Sequence, residues 1–350
     1  MQSSLPPLLP PAPDLAAFSR PHAQLCLQVA RFLTHSCHVD IHGSVLLLAV
    51  SGGADSTALL SIFTALRPYT GHSLSIVHID HGLRPESPLE AQSVAALCAA
   101  WHLPCTLHSA PVTKYAAEHK IGLEEAGRAL RYQILETERQ NTRAAWIVTG
   151  HHREDLAEDM LLRLIRGTGW PALGGMAAVD RRRKLLRPLL LCAPESLRVL
   201  VQDYGLTWQQ DPSNADITYS RNRVRHTIMP LLKAENPSLH QGMENLWTLA
   251  QEDTRHWENI LNAALAHYHI TLTPPVITLP KALLCSMDRA TRLRMYIQAV
   301  HSLAQGQARA TTLFQVDDAW QEGRGNTHFQ LHGNISVEVL RGNVIFRAKA

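Results

Sequence analysis

The residues with the clearest chemical purpose are Ser51-Gly52-Gly53-Ala54-Asp55-Ser56. They follow the apolar run Val45–Val50 and precede Ser56–Leu66, which has helical spacing. Two adjacent glycines let the backbone come close to an anion. Consecutive N–H groups at a helix N-terminus then point at negative charge. Ser51 and Ser56 offer hydroxyl donors. Asp55 would repel a phosphate, so it makes sense as a ligand of Mg²⁺ bridging phosphate oxygens. No lysine follows the glycines, which excludes a Walker A loop, and Gly-x-Gly-x-x-Gly is absent. The plainer alternative is a tight turn without a ligand, but the strand–loop–helix context favours pyrophosphate.

A second group, Gly150-His151-His152-Arg153-Glu154-Asp155, also follows a strand and opens a helix. Two histidines and two acids there could bind metal or move protons, or simply cap a helix with acids. Basic residues cluster at Arg181-Arg182-Arg183-Lys184 with Arg187, and at Arg221, Arg223 and Arg225. Either cluster suits a solvated face or a phosphate backbone. The six cysteines form no Cys-x-x-Cys, so the usual zinc, iron–sulfur and thioredoxin spacings are missing.

These groups must be positioned by a framework, and the pattern supplies one. Strands are expected at Val45–Val50, Leu74–Asp80, Cys105–Ala110 and Ala145–Thr149. Helices are expected at Ser56–Leu66, Leu89–His102, Leu123–Gln140 and Leu156–Arg166. Apolar strands alternating with helices imply an α/β fold with a parallel sheet covered on both faces. Ligands of such sheets bind beyond the carboxyl ends of the strands, where both loops fall. Further along, Lys184–Leu191 reads as a strand and Glu195–Tyr204 as a helix. A linker is expected near Glu235-Asn236-Pro237, followed by helices at Leu239–His267, Lys281–Leu303 and Thr311–Gln321. A terminal hairpin turning at Arg341-Gly342-Asn343 makes the last part a smaller α+β domain.

The composition, 45% hydrophobic and 18% charged with a net charge of +3, is that of a globular chain. No apolar run reaches the roughly 18 residues of a membrane span. The opening MQSSLPPLLPPAPDL has no basic start and no continuous apolar region, so it reads as a flexible extension rather than a targeting signal. A reduced, cytoplasmic protein is expected.

The first loop resembles the SGGxDS motif of the PP-loop ATP pyrophosphatase superfamily. Its members cleave ATP between the α and β phosphates, pass AMP to a substrate oxygen and let a nucleophile displace it. Four further segments resemble the tRNA(Ile)-lysidine synthetase family: HIDHGLRPES from His78, EEAGRALRY from Glu124, TGHHREDLAEDMLLRLIRGTGWPALGG from Thr149, and DPSNADITYSRNRVR from Asp211. Departures are Glu154, Leu156 and Asp159, where Asp, Gln and Thr are usual; Asp159 would add negative charge to the pocket.

The resemblance implies a carbon–nitrogen ligase. Its substrates would be ATP with Mg²⁺, free L-lysine and the tRNA(Ile) carrying a CAU anticodon. It implies that Ser51, Gly52, Gly53, Ala54 and Ser56 bind ATP. Asp55 and Asp155 would hold Mg²⁺, and His152 would steady the α-phosphate or shuttle a proton. Glu124 and Glu158 are candidates for the lysine ammonium groups. Arg128, Arg221, Arg223 and Arg225 would contact tRNA or phosphate, although Arg128 also suits an ion pair with Glu124 at i, i+4.

The implied organisation is an extension over 1–22, a catalytic domain over 23–235 and a tRNA-binding domain over 236–350, with a homodimer left open. The nearest alternative is a PP-loop tRNA sulfurtransferase, which typically needs a cysteine pair or an iron–sulfur cluster. A PP-loop amide ligase such as NAD or GMP synthetase would lack the tRNA-facing arginines. An RNA-binding protein with a dead site is opposed by the intact Asp55, His152 and Asp155.

Overall fold

A computed structural model describes residues 9–82, 87–209, 220–303, 309–331 and 333–348, with backbone only at 87 and 88. By its contacts the chain divides into two units, Met1–Gly167 with Gly175–Leu246, and Thr168–Gly174 with Trp247–Ala350.

In the first unit, helix α1 (Arg20–Arg31) precedes strand β1 (Val45–Ala49), helix α2 (Ala54–Thr70) and strand β2 (Ser73–Asp80). Then come α3 (Ser87–Ala100), β3 (Cys105–Ser109), α4 (Val112–His119), α5 (Leu123–Asn141), β4 (Trp146–Val148) and α6 (Arg153–Ile165). Strands β5 (Val179–Asp180) and β6 (Leu185–Leu186) form a short hairpin before α7 (Pro194–Asp203). Helices α8 (Ser220–Arg223), α9 (Met229–Glu235) and α10 (Leu239–His267) follow. The division between the units falls inside α10.

The sheet runs β3-β2-β1-β4-β6-β5. All its pairs are parallel except β5 with β6. The β-branched and leucine-rich strands β1 and β2 are buried along most of their length, as expected for a sheet covered on both faces. Helix α2 is buried from Ala54 to Leu66 apart from Asp55, because it is apolar all round rather than on one stripe. It packs against α7 and α1, and its first turn continues from the Ser51–Ser56 loop.

Two expectations are corrected here. The proline-rich start is not free where it is described. Leu15 and Phe18 are buried, the Trp101 indole donates to the Pro10 carbonyl at 3.0 Å, and the Tyr204 hydroxyl donates to the Pro11 carbonyl at 3.0 Å. Prolines without N–H groups expose carbonyls that these aromatic donors take up. Residues 1–8 lie outside the described set. The strand expected over Lys184–Leu191 is only Leu185–Leu186. Pro188 cannot donate to a ladder, so the buried Leu189 and Leu190 pack as a turn.

The second unit holds the rest of α10, strand β7 (Val276–Leu279), helices α11 (Lys281–Cys285), α12 (Arg289–Ser302) and α13 (Ala310–Gln321), and strands β8 (Thr327–Leu331), β9 (Ile335–Leu340) and β10 (Asn343–Ala348). Its sheet is antiparallel, ordered β7-β10-β9-β8. The single helix expected over Lys281–Leu303 is broken, because the Asp288 side chain caps a new helix by accepting from Thr291 N at 2.7 Å. The turn between β9 and β10 uses positive φ at both Arg341 and Gly342, the geometry of a type I′ hairpin.

Candidate active site

The strand order of the main sheet reverses between β1 and β4, the strands that end closest in sequence to the two motif loops. A crevice opens outside the carboxyl ends of such a pair, and it is the usual ligand position in open α/β sheets. Residues 50–53 leave β1 on one side and residues 149–152 leave β4 on the other. The two loops touch. A Cβ added to Gly150 would stand 3.1 Å from the Asp55 carbonyl oxygen and 3.3 Å from Ser56 N. Gly150 is therefore what lets the second loop lie on the first turn of α2.

Within the first loop Gly52 takes φ +85°, a backbone state that side chains resist. Gly53 is the N-cap of α2, and Ala54 is buried in its first turn. The Ser56 hydroxyl donates to the Gly53 carbonyl at 3.0 Å and accepts from Ser51 N at 3.1 Å. Through these bonds Ser56 braces the cradle from within. Ser51 is exposed, with its hydroxyl 3.1 Å from that of Ser56. The buried His78 of β2 sits 2.9 Å from the Val50 carbonyl through Nδ1 and pins the end of β1. Its HxDHGLR segment was legible, but 83–86 of it lie outside the described residues.

His152 is the N-cap of α6. Its Nδ1 accepts from Glu154 N at 3.2 Å, and its own N–H donates to Asp155 Oδ2 at 3.0 Å. An accepting Nδ1 leaves the proton on Nε2, which lies 3.4 Å from Asp55 Oδ2 and 3.6 Å from Asp155 Oδ2. Burial disfavours the imidazolium, but the hydrogen bond to Asp55 and the charges of Asp155 and Asp55 outweigh it and raise the His152 pKa. With its side chain 8% exposed, His152 holds Asp55 rather than reaching freely for a phosphate. The neighbouring His151 bonds Thr149 Oγ1 through Nδ1 at 2.8 Å. Burial, reinforced by Arg187 and Arg221 against the pull of Asp155, lowers its pKa to about 3, so it is neutral.

Asp155 and Glu158 depart most from expectation. Asp155 Oδ1 accepts from Arg221 Nη2 at 2.7 Å while Oδ2 accepts from His152 N at 3.0 Å, so each of its oxygens already carries a hydrogen bond. Burial works against its charge, yet His152 and Arg221 more than offset that and lower its pKa. Glu158 is 1% exposed. Its Oε2 accepts from Arg221 Nε at 2.8 Å and its Oε1 from Arg225 Nε at 2.5 Å. It is thus neutralised by arginines instead of waiting for a lysine ammonium. Arg221 and Arg225, expected on tRNA phosphates, pair with these two acids, each arginine about a third exposed. Only Arg223 of that cluster is exposed, with Nη2 on Ser220 Oγ at 3.0 Å. Residues 210–219 of the block lie outside the described set.

The remaining candidates lie on α5. Glu124 is exposed in its first turn. Arg128 stacks over the Tyr132 ring at 5.1 Å, and Arg183 from the β5–β6 turn lies at the same distance from that ring. Arg131 meets His81 Nε2 at 3.1 Å. Asp159 is held by Arg163 at 2.7 Å and adds no free charge to the pocket. Sequence reading named Gly150 and Tyr132 within their segments but missed what each does: Gly150, a glycine directly after a buried strand, gives clearance to the first turn of α2, and Tyr132 is a stacking platform for Arg128 and Arg183.

One carboxylate oxygen keeps its capacity. Asp55 Oδ1 is buried without a hydrogen-bond partner. Among the described residues no three or more His, Cys, Asp or Glu side chains gather as a metal cluster. A lone carboxylate beside a phosphate cradle fits Mg²⁺ that arrives with nucleotide and completes its shell with phosphate oxygens and water.

This crevice and loop define a PP-loop protein, and a family model described as a PP-loop domain matches residues 24–232. A tRNA(Ile)-lysidine synthase of Nitratidesulfovibrio vulgaris is 45% identical over 314 residues, 85% of this chain and 90% of that protein. Proteins of the same name from Geobacter sulfurreducens and Bacillus subtilis are 31% and 33% identical over 79% and 64% of the chain. The chain spans 58% and 48% of those two longer relatives. A solved U34-tRNA thiolase, NcsA from Methanococcus maripaludis, shares the fold with a TM-score of 0.53 at 16% identity, over 64% of this chain and 78% of its own. The chain belongs to the tRNA(Ile)-lysidine synthase family of PP-loop ATP-using enzymes.

Proposed function

We propose that this chain uses ATP to adenylate the carbonyl oxygen at carbon 2 of the wobble cytidine in a CAU-anticodon tRNA(Ile). The ε-amine of free lysine then attacks that carbon, AMP leaves with the oxygen, and lysidine is formed. The anticodon thereafter reads AUA. The observation that carries the adenylation step is Asp55, whose buried Oδ1 lacks a partner beside a loop of N–H donors at the sheet's switch point. The choice of lysine and cytidine rests on the family.

An amide-like oxygen is a poor leaving group until it becomes part of AMP. Forming that bond expels pyrophosphate, whose charge the loop N–H groups and the N-terminus of α2 offset. Mg²⁺ would be held by Asp55 and would neutralise phosphate oxygens when bound. His152 keeps Asp55 aimed at the crevice, while Asp155 and Glu158 keep Arg221 and Arg225 beside it. Exposed Glu124 and Arg223 are the proposed contacts for lysine and tRNA, and residues 236–350 are the proposed tRNA-binding domain.

Sulfur transfer fits less well. Cys192, whose carbonyl accepts from Arg153 N at 3.1 Å, has its thiol pushed up to about 12 by burial and cannot serve as a ready thiolate. Cys98 and Cys105 meet near the amino end of β3, away from the loops.

The test is AMP release from labelled ATP with and without CAU-anticodon tRNA(Ile) and lysine. Release that needs both, with lysine label entering the tRNA, is expected. Release indifferent to lysine would retain adenylation and transfer the reading to another nucleophile.

A further inference from the structure

We propose that ion pairs from Arg153 and Glu154 to helices α9 and α10 position His152 against Asp55, so that Glu154 is a positioning residue for the adenylation proposed above. The kinetic part of this inference rests on that reading. Glu154 faces two ways. Its backbone N–H donates to His152 Nδ1 at 3.2 Å and thereby fixes the ring with Nε2 toward Asp55. Its carboxylate turns away from the crevice and accepts from Lys233 Nζ of α9 at 2.8 and 3.0 Å. His240 Nε2 of α10 lies 2.9 Å from the same carboxylate.

The preceding residue makes the opposite pair. Arg153 Nη1 stands 3.6 Å from Glu244 Oε1, one turn further along α10 than His240. Consecutive residues of opposite charge thus meet partners of opposite charge on two helices. Exchanging or sliding the contacts would oppose like charges, so the arrangement fixes both the rotation and the translation of the first turn of α6. The Glu154 carboxylate is 19% exposed and Glu244 is 20% exposed, so these pairs are screened less than surface ones. A swing of that turn would move the Glu154 N–H and with it the His152 ring. Arg153, Glu154, Lys233, His240 and Glu244 have no role in the chemistry described above.

The experiment compares Glu154→Gln, Lys233→Met and the conservative Lys233→Arg in the full chain. kcat and KM for ATP are measured in AMP release, and histidine ¹⁵N NMR is recorded with the His152 signal assigned through His152→Gln. Expected are an about tenfold lower kcat in Glu154→Gln and Lys233→Met with KM for ATP little changed, and recovery in Lys233→Arg. The His152 signal should lose its single Nε2–H form in the first two variants only. A kcat within about twofold of the parent, or an unchanged His152 signal in both disruptive variants, would overturn the proposal and leave the pairs a purely structural tie. If the parent chain releases no AMP with tRNA and lysine, the functional reading fails on its own, and the NMR comparison still decides the positioning.

Discussion

Replacing Gly150 by alanine tests whether the two loops work as one site. The added Cβ would sit 3.1 Å from the Asp55 carbonyl oxygen, 3.2 Å from its carbonyl carbon and 3.3 Å from Ser56 N. All three are backbone atoms in the first turn of a buried helix, so no flexible side chain can swing aside. One loop must retreat by a few tenths of an ångström. Overpacking of this kind costs about 1–3 kcal/mol of stability. The larger effect should be on chemistry, because the loop that moves carries His152, which holds Asp55 from 3.4 Å. Misplacement by about 1 Å can cost ~100-fold in rate, so about tenfold in kcat is expected for a shift of this size. The assay is AMP release with tRNA and lysine saturating, beside a thermal melt. Gly242→Ala on α10 is the control, since nothing lies within 4 Å of its new Cβ and helix propensity favours alanine. Full activity in Gly150→Ala with an unperturbed melt would refute the close registration of the loops.

Asp55→Asn should abolish AMP release while tRNA affinity, measured by filter binding, stays unchanged; retained turnover would remove Asp55 from the metal-binding role. Arg223→Ala should weaken tRNA binding and flatten its dependence on salt, by about one unit in the slope of log affinity against log salt. An unchanged slope would mean that this arginine meets no phosphate. Burial depresses the pKa of His72 to about 4 and that of His151 to about 3. Both stay neutral in the fold where the unfolded chain would take up protons, so stability is complete above about pH 6.5 and falls as the pH drops toward these values. Urea midpoints between pH 7.5 and 4 should show it, and His72→Gln or His151→Gln should flatten the fall. An unaltered slope in both variants would show that neither histidine is held neutral by the fold.

Much of the site was legible because its signals are local. Strand, glycine pair and helix start lie within a dozen residues, and the alternation of strands with helices implies a parallel sheet and a crevice at its carboxyl ends. What escaped depends on distant partners. Asp155 and Glu158 are three residues apart on α6, while Arg221 and Arg225 are four apart on a later segment, so both pairs project from one helical face. That matching spacing was the available signal, but nothing in either stretch names the other across more than sixty residues. The bracing role of the Ser56 hydroxyl escaped for a different reason. A serine in a phosphate loop looks like a donor to phosphate, and its contact with Gly53 O at 3.0 Å depends on the folded turn rather than on residue type. The proline-rich start was misjudged because composition records the prolines and not the aromatic donors, Trp101 and Tyr204, that receive their carbonyls.

The charge arrangement around the crevice narrows where a cation can act. Asp155 and Glu158 are matched by Arg221 and Arg225, and Asp159 by Arg163. Glu154 is matched by Lys233 on the far side of α6. Among the acids of these two loops this leaves Asp55, which shares the Nε2 proton of His152 through one oxygen and keeps the other buried and unpartnered. Bringing a polyphosphate against that oxygen would set like charges together in a partly desolvated crevice, where their repulsion is far stronger than in water. Removing the acid would relieve the repulsion but also lose what it can hold. A divalent cation held by Asp55 would offset that repulsion, and the unpartnered Oδ1 is the oxygen that would hold it. The same reasoning explains why the arginines are kept beside the crevice by buried acids. Their positive charge is in place before substrate arrives, and little reorganisation is required when charge develops on the departing pyrophosphate.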